Sequence, residues 1–222
     1  MSPPHLKLIN KLNSDKKITK ESSILDIGCG NGNFLSQLKR GGYKNLTGID
    51  LFIEEENILE GINLIQTSLE DYKPSEKFDL IVSNHAFEHM DNQLANLKCF
   101  ENLIKDDGLI LLRIPIKSEP IWKRYGVNWF QIDAPRHFFL HTLKSFEILC
   151  DKTDLKILDV IFDSGYAQFV FSENYQNDIA WGEDGWTDFR SNKKLIKKYK
   201  KETNFLNSQG QGDQCMFVLK KI

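Results

Sequence analysis

The run Ile24-Leu25-Asp26-Ile27-Gly28-Cys29-Gly30-Asn31-Gly32-Asn33-Phe34 constrains this chain more than any other part of it. An apolar strand enters a glycine-rich turn, and a helical pattern (Phe34, Leu35, Leu38) begins immediately beyond. A strand joined to a helix by so short a turn opens a βαβ unit, and the free N–H groups of the helix start favour electron-rich ligand atoms. Glycines at 28, 30 and 32 carry no Cβ to hold a ligand away. The spacing is G-x-G-x-G, with Asn33 where the dinucleotide fingerprint has its third glycine. Two carboxylates accompany the turn. Asp26 lies two residues before Gly28, and Asp50 ends the next apolar strand, 22 positions beyond Gly28 (28 to 50). An acid roughly 20 residues past such a turn is placed to accept hydrogen bonds from ribose hydroxyls. A turn that served packing alone would need neither three glycines nor two placed acids.

The pattern continues as an alternation of strands and helices, which calls for a parallel sheet covered on both faces. An amphipathic helix over Leu6–Lys17 precedes strand one, Ser23–Ile27. Its helix covers Asn31–Arg40 and stops at Gly41-Gly42. Strands two and three are Leu46–Asp50 and Ile62–Gln66, separated by the acidic Glu54-Glu55-Glu56, read as a solvated helix start. Lys77–Asn84 is a continuous apolar run of the buried parallel type. A helix over Asp91–Ile104 and a turn at Asp106-Asp107-Gly108 lead to strand five, Leu109–Ile114. Residues 115–142, rich in aromatics, Pro, Arg and His, then break the rhythm. A helix over Leu143–Thr153, strand six over Leu155–Phe162, a long insertion at 164–212 and a final apolar strand around Cys215–Leu219 complete the chain.

These motifs resemble the class I S-adenosylmethionine-dependent methyltransferases of the small bacterial type 11 and type 23 kind. Their first motif reads hh-D-h-G-x-G-x-G, and their second is a strand ending in Asp. The resemblance runs across nearly the whole chain. It implies one α/β domain over residues 1–222, with a Rossmann-like, seven-stranded, mostly parallel sheet, helices on both faces and an antiparallel last strand. It also implies that the insertions at 115–142 and 164–212 serve the substrate site. S-adenosyl-L-methionine is the implied cofactor. Asp26, Gly28, Gly30 and Gly32 would meet its amino-acid end, Asp50 its ribose and Leu51 its adenine. Ser68, Leu69 and Glu70 would face the adenine edge, with Asp71 an alternative to Glu70. Asn84 would floor the pocket near the methyl group. Glu88-His89 is a mark of the family and would organise the cofactor loop.

Composition narrows the partners. A net charge of −2 and a pI near 6.2 give no bias toward nucleic acid or anionic membrane. Four cysteines, at 29, 99, 150 and 215, match no zinc or redox spacing and read as small buried thiols. With no secretory leader and no apolar run near the ~20 residues of a membrane span, a cytoplasmic protein is expected.

Methyl transfer from a sulfonium needs alignment and, for a hydroxyl acceptor, a base near neutrality; histidine is the natural one. Two clusters offer it. His85-Ala86-Phe87-Glu88-His89 follows strand four and spells H-x-x-E-H. The zinc-hydrolase reading of those letters needs a continuous helix, which a strand end does not provide. Asp133-Ala134-Pro135-Arg136-His137 resembles a D-x-P-R-H segment found in methyltransferases of surface-polysaccharide pathways. His137 is the expected general base, Arg136 the anion holder and His85 a further substrate-facing candidate; His137 as a turn-capping group and Arg136 paired with Asp133 are the structural alternatives. His137 and His141 lack a third ligand, so no metal site is assigned. A small hydroxylated acceptor is therefore expected, with a sugar or sugar-phosphate oxygen favoured. N- or C-methylation of a small metabolite or quinone precursor, a nicotinamide oxidoreductase and a non-catalytic module that binds the cofactor are the rivals. The lysine-rich stretch Lys193–Lys201 reads as a solvated amphipathic helix, with an anionic docking face as the sharper alternative. The aromatics Trp122, Tyr125, Trp129, Phe130, Trp181 and Trp186 suit either sugar stacking or lid packing.

Overall fold

The computed structural model describes residues 4–53, 60–180, 182–183 and 192–222. The Glu54–Glu56 stretch and both Trp181 and Trp186 lie outside the described residues. Strands β1 (Ser23–Ile27), β2 (Asn45–Asp50), β3 (Asn63–Gln66), β4 (Phe78–Asn84), β5 (Ile104–Pro115), β6 (Leu155–Phe162) and β7 (Gln214–Lys221) form one sheet in the order β3-β2-β1-β4-β5-β7-β6. The pairs from β3 through β5 are parallel, while β7 runs antiparallel to both β5 and β6. The parallel part is what the strand–helix alternation predicts, and the antiparallel last strand of this Rossmann-like sheet is what the family resemblance implies.

Strand periodicity explains the runs of apolar residues in the middle of the central strands. Side chains alternate across a sheet with period two, so a strand buried on both sides needs apolar residues at every position. In β5, Leu109 and Leu111 enter one core while Ile110, Leu112 and Ile114 enter the other. In β7, Met216 and Val218 oppose Cys215, Phe217 and Leu219 in the same way. Helices α1 (Pro4–Ser14) and α2 (Asn33–Arg40) cover one face through Ile9, Leu12, Leu35 and Leu38. Helices α3 (Gln93–Leu103) and α5 (Leu143–Cys150) cover the other through Leu97, Phe100 and Phe146.

Three local differences have physical causes. Helix α2 starts at Asn33 rather than Asn31, because Gly32 takes a left-handed conformation (φ 70°) as its N-cap. The expected turn at Asp106–Gly108 is instead an irregularity within the longer β5, opposite a register shift between Phe78 and Leu80. The insertions also contain helices that their aromatic-rich composition concealed: α4 (Glu119–Tyr125) and α6 (Ala167–Gln176).

The insertions meet in a third apolar cluster. Ile121, Tyr125 and Trp129 from the first pack against Phe169, Val170, Tyr199 and Leu206 from α6 and α7 (Lys193–Ser208). Arg124 bridges Glu173 and Glu202 at 2.9 and 2.8 Å and lies over the rings of Tyr125 and Phe169. Along α7 the apolar stripe faces this cluster, and Lys193, Lys194, Lys197, Lys198, Lys200 and Lys201 are exposed, the solvated-face geometry. Trp129 ties the cluster to the sheet: its Nε1 donates to Asp213 Oδ2 at 2.8 Å, both groups being buried. Burial pushes the Asp213 carboxyl up to about 6. Trp129→Phe leaves that oxygen without its donor, which costs about 1–3 kcal/mol. Urea unfolding should show this loss; unchanged stability would mean that the indole is not what anchors the insertions.

Candidate active site

The chain order of the sheet reverses between β1 and β4, and ligands of open α/β sheets bind outside the strand ends at such a switch point. A cavity of about 800 Å³ lies there, within the usual range for small-molecule sites. Its walls come from the ends of four parallel strands and the loops that follow them.

The glycine turn borders it through Gly28 (φ 76°). A Cβ at this residue would stand 2.3 Å from the Ala86 Cβ, so only glycine lets the loops after β1 and β4 meet. Gly30 (φ 50°) has open space where its Cβ would lie. Asp50 lines the cavity, and its two oxygens accept hydrogen bonds from Gly30 N at 2.9 Å and Phe52 N at 2.8 Å. Each oxygen keeps a lone pair for a ligand hydroxyl. Leu51, Ser68, Leu69 and Glu70 also line it. Asp71, the alternative acid, is instead tied to Ser68: its carboxylate accepts from Ser68 Oγ at 2.6 Å.

Other expected cofactor residues stand back from the cavity. Asp26 remains within β1 at 4% exposure, and neither it nor Gly30, Gly32 or Asn84 forms the lining. Asn84 Oδ1 accepts from Arg113 Nη1 at 2.9 Å, and Arg113 is paired with buried Asp163 at 2.7 Å. That network spends Asn84 on holding strand ends together instead of flooring the pocket.

The histidines divide in a way spacing alone did not reveal. His85 lines the cavity with a left-handed backbone (φ 55°), uncommon for a side chain with a Cβ and a feature that concentrates at functional sites. Its Nδ1–H donates to Glu88 Oε1 at 3.0 Å, leaving Nε2 with a lone pair. His137, the expected base, lies outside the lining, and its side chain is only 6% exposed. Its Nδ1–H donates to the Gln131 carbonyl at 2.7 Å, the turn-holding role. Burial, ahead of all other causes, lowers its pKa. Arg136 does reach the cavity mouth at 72% exposure, while its guanidinium engages Asp133 Oδ1 at 2.7 Å. His89 lines the cavity and donates from Nδ1 to the Arg136 carbonyl at 2.9 Å.

Sequence reading missed Phe52, Thr67, Met90, Asn96 and Phe138 in the lining. Thr67 was findable as the residue directly after β3. Asn96 and Phe138 arrive from elements distant in sequence and carried no signal. The second insertion contributes none of its described residues to the lining. Tyr125 and Trp129 are buried in the third cluster, and Phe130 packs on Phe171, so these rings are lid packing and not a sugar platform.

A family model described as a methyltransferase domain matches residues 5–160. The chain belongs to that family. It is a methyltransferase of the class I, S-adenosylmethionine-dependent kind. Among its relatives is the ubiquinone biosynthesis O-methyltransferase of Glaesserella parasuis serovar 5 (strain SH0165), 34% identical over 173 residues, covering 68% of this chain and 71% of that one. The enzyme of the same description from Actinobacillus pleuropneumoniae serotype 5b (strain L20) is 29% identical over 180 residues, covering 71% and 75%. In fold, this methyltransferase is similar to an S-adenosylmethionine-dependent methyltransferase from Clostridium acetobutylicum ATCC 824, with a TM-score of 0.59, 15% identity and coverage of 97% and 89%. Among the described residues no helix is long and apolar enough to cross a membrane.

The electrostatics of the site generate a pH dependence. Burial first, and the Asp50 charge second, push the Asp26 carboxyl up to about 7 from 3.8. Between those values the native state holds a proton that the unfolded chain has released, so this group's contribution to stability falls as pH rises through the window. The ligand-free wild type should lose more melting temperature than Asp26→Asn between about pH 5 and about pH 8 in scanning fluorimetry. Superimposable pH profiles would show that Asp26 does not titrate in this way.

Proposed function

We propose that this methyltransferase O-methylates a small hydroxylated aromatic acceptor, with His85 as the general base. The observation that carries the reading is His85 itself: a cavity-lining imidazole, held by a buried carboxylate through one nitrogen, with the other nitrogen left basic. The names of the two relatives, both O-methyltransferases of quinone biosynthesis, support a ring hydroxyl as acceptor. Exposed Phe52 and Phe138 at the rim, with Met90, offer apolar contact to such a ring. A sugar acceptor has less support, since the described aromatics that suggested it are turned into the third cluster or lie away from the lining.

The chain's residues fit the methyl donor. Asp50 would hold the ribose hydroxyls, Leu51 and Leu69 would pack on the adenine, and Ser68 and Glu70 would meet its edge. Gly28, Gly30 and Gly32 would let the backbone approach the amino-acid end, with the Asp26 carboxyl beneath it. S-adenosylmethionine supplies a methyl carbon already activated as a sulfonium. His85 Nε2 would take the acceptor's hydroxyl proton as its oxygen gains the methyl group that the bound donor would supply. Glu88 steadies the resulting imidazolium through Nδ1–H. Arg136 stands at the mouth for an anionic substituent on the acceptor.

Adenosylhomocysteine should raise the melting temperature of the protein and NAD should not; at 100 times its dissociation constant a ligand adds about 2.7 kcal/mol. An NAD shift without an adenosylhomocysteine shift would overturn the donor assignment. With a catechol acceptor, His85→Ala should lower turnover roughly 10²–10⁴-fold while leaving adenosylhomocysteine affinity nearly unchanged. Turnover within a few-fold of wild type would remove His85 as the base, and transfer to amines alone would remove the hydroxyl acceptor.

A further inference from the structure

The two histidine clusters, 47 residues apart, are joined into one unit beside the cavity. Phe138 N donates to the Glu88 carbonyl at 2.9 Å, and His89 Nδ1 donates to the Arg136 carbonyl at 2.9 Å. Glu88, His89 and His137 consequently each place one metal-ligating atom within 4.8 Å of the others. The rings of His89 and His137 meet edge to face, with centroids 4.7 Å apart.

The hydrogen bonds leave one electron pair on each group. Both imidazoles give Nδ1–H to a main-chain carbonyl, which sets the tautomer and leaves Nε2 as the acceptor nitrogen; that of His137 stands 3.6 Å from Asp133 Oδ2, beyond hydrogen-bond length. That is the outer-shell arrangement of metal-bound histidines. Glu88 is 1% exposed; its Oε1 is used by His85, while its Oε2 is buried with no hydrogen-bond partner. A buried carboxylate oxygen without a donor is costly, and a cation is the partner this one lacks.

We propose that Glu88, His89 and His137 bind one divalent transition-metal ion of the Zn²⁺ type. Two neutral imidazoles and one carboxylate suit such an ion and leave a further coordination position open. Ligands at 2.0–2.2 Å around a tetrahedral ion stand roughly 3.3–3.6 Å apart, so the site closes by a small inward turn of the exposed His89 ring. The binding claim is independent of the acceptor. Its chemical use rests on the hydroxyl reading above, because a metal-bound hydroxyl releases its proton more readily. No ligand set of this kind was visible in sequence: the H-x-x-E-H letters lacked a helix, and His137 lacked partners until the loops met.

Isothermal titration of the chelator-treated full chain with Zn²⁺, and visible absorption after Co²⁺ loading, test the site. One equivalent should bind, with ligand-field bands of low coordination number. His89→Ala and His137→Ala should each weaken Zn²⁺ at least about 10-fold. Absence of stoichiometric binding, or affinity unchanged in both variants, overturns the proposal. His89→Ala decides the matter alone if His137→Ala fails to fold, since the His89 ring is exposed. Adenosylhomocysteine binding, read on the same wild-type samples, separates failure of the metal site from failure of the methyltransferase reading.

Discussion

The close approach of Gly28 to Ala86 is the constraint on which the site depends. With no room for a Cβ at residue 28, the loops after β1 and β4 touch at the point where the sheet changes direction. That contact brings Asp50, on the β2 side, and His85, on the β4 side, to the walls of one cavity. A side chain at position 28 would have to displace Ala86 and the loop that carries His85, Glu88 and His89. Its positive φ opposes substitution as well, so two independent physical requirements select glycine there.

Around this contact, polar groups are arranged in two tiers. The inner tier touches the cavity: Asp50, Glu70, His85 and His89. The outer tier holds strand ends and loops in place and is half-buried or buried. Asn84 with Arg113 and Asp163 spans β4, β5 and the residue after β6, while Gln93 hydrogen-bonds His141 at 2.9 Å beneath the loop after β4. His141 is therefore part of the scaffold, stacked with Phe87 and Phe139 and edge to face with Phe146. The third apolar cluster belongs to the same outer tier, since it fixes the first insertion, which delivers Arg136 and Phe138 to the mouth.

Much of the fold was legible because parallel strands buried on both faces need uninterrupted apolar residues, and few other structures do. β1 stands over the predicted Ser23–Ile27, and β4 begins one residue inside the predicted run. The helices of the insertions were less legible. Both α4 and α6 carry aromatic residues that a sequence alone cannot assign to a ligand or to packing. At the site, Asp50 and Gly28 were legible because a turn and the following strand end lie at a standard spacing. Asn84, expected at the pocket floor, was misplaced because its partner Arg113 is on a neighbouring strand.

By itself the sequence determined the doubly covered parallel sheet, the glycine turn with its two aspartates and the family to which the chain belongs. The sheet and the turn follow from local rules of backbone geometry and side-chain periodicity, and the family from the resemblance of the motifs. Only the tertiary structure decided which histidine reaches the cavity, which aromatics are packing, and that Glu88, His89 and His137 are neighbours. The physical reason is that these outcomes depend on hydrogen bonds between loops, such as Phe138 N to the Glu88 carbonyl, whose ends are fixed by the whole sheet and not by the spacing of residues along the chain.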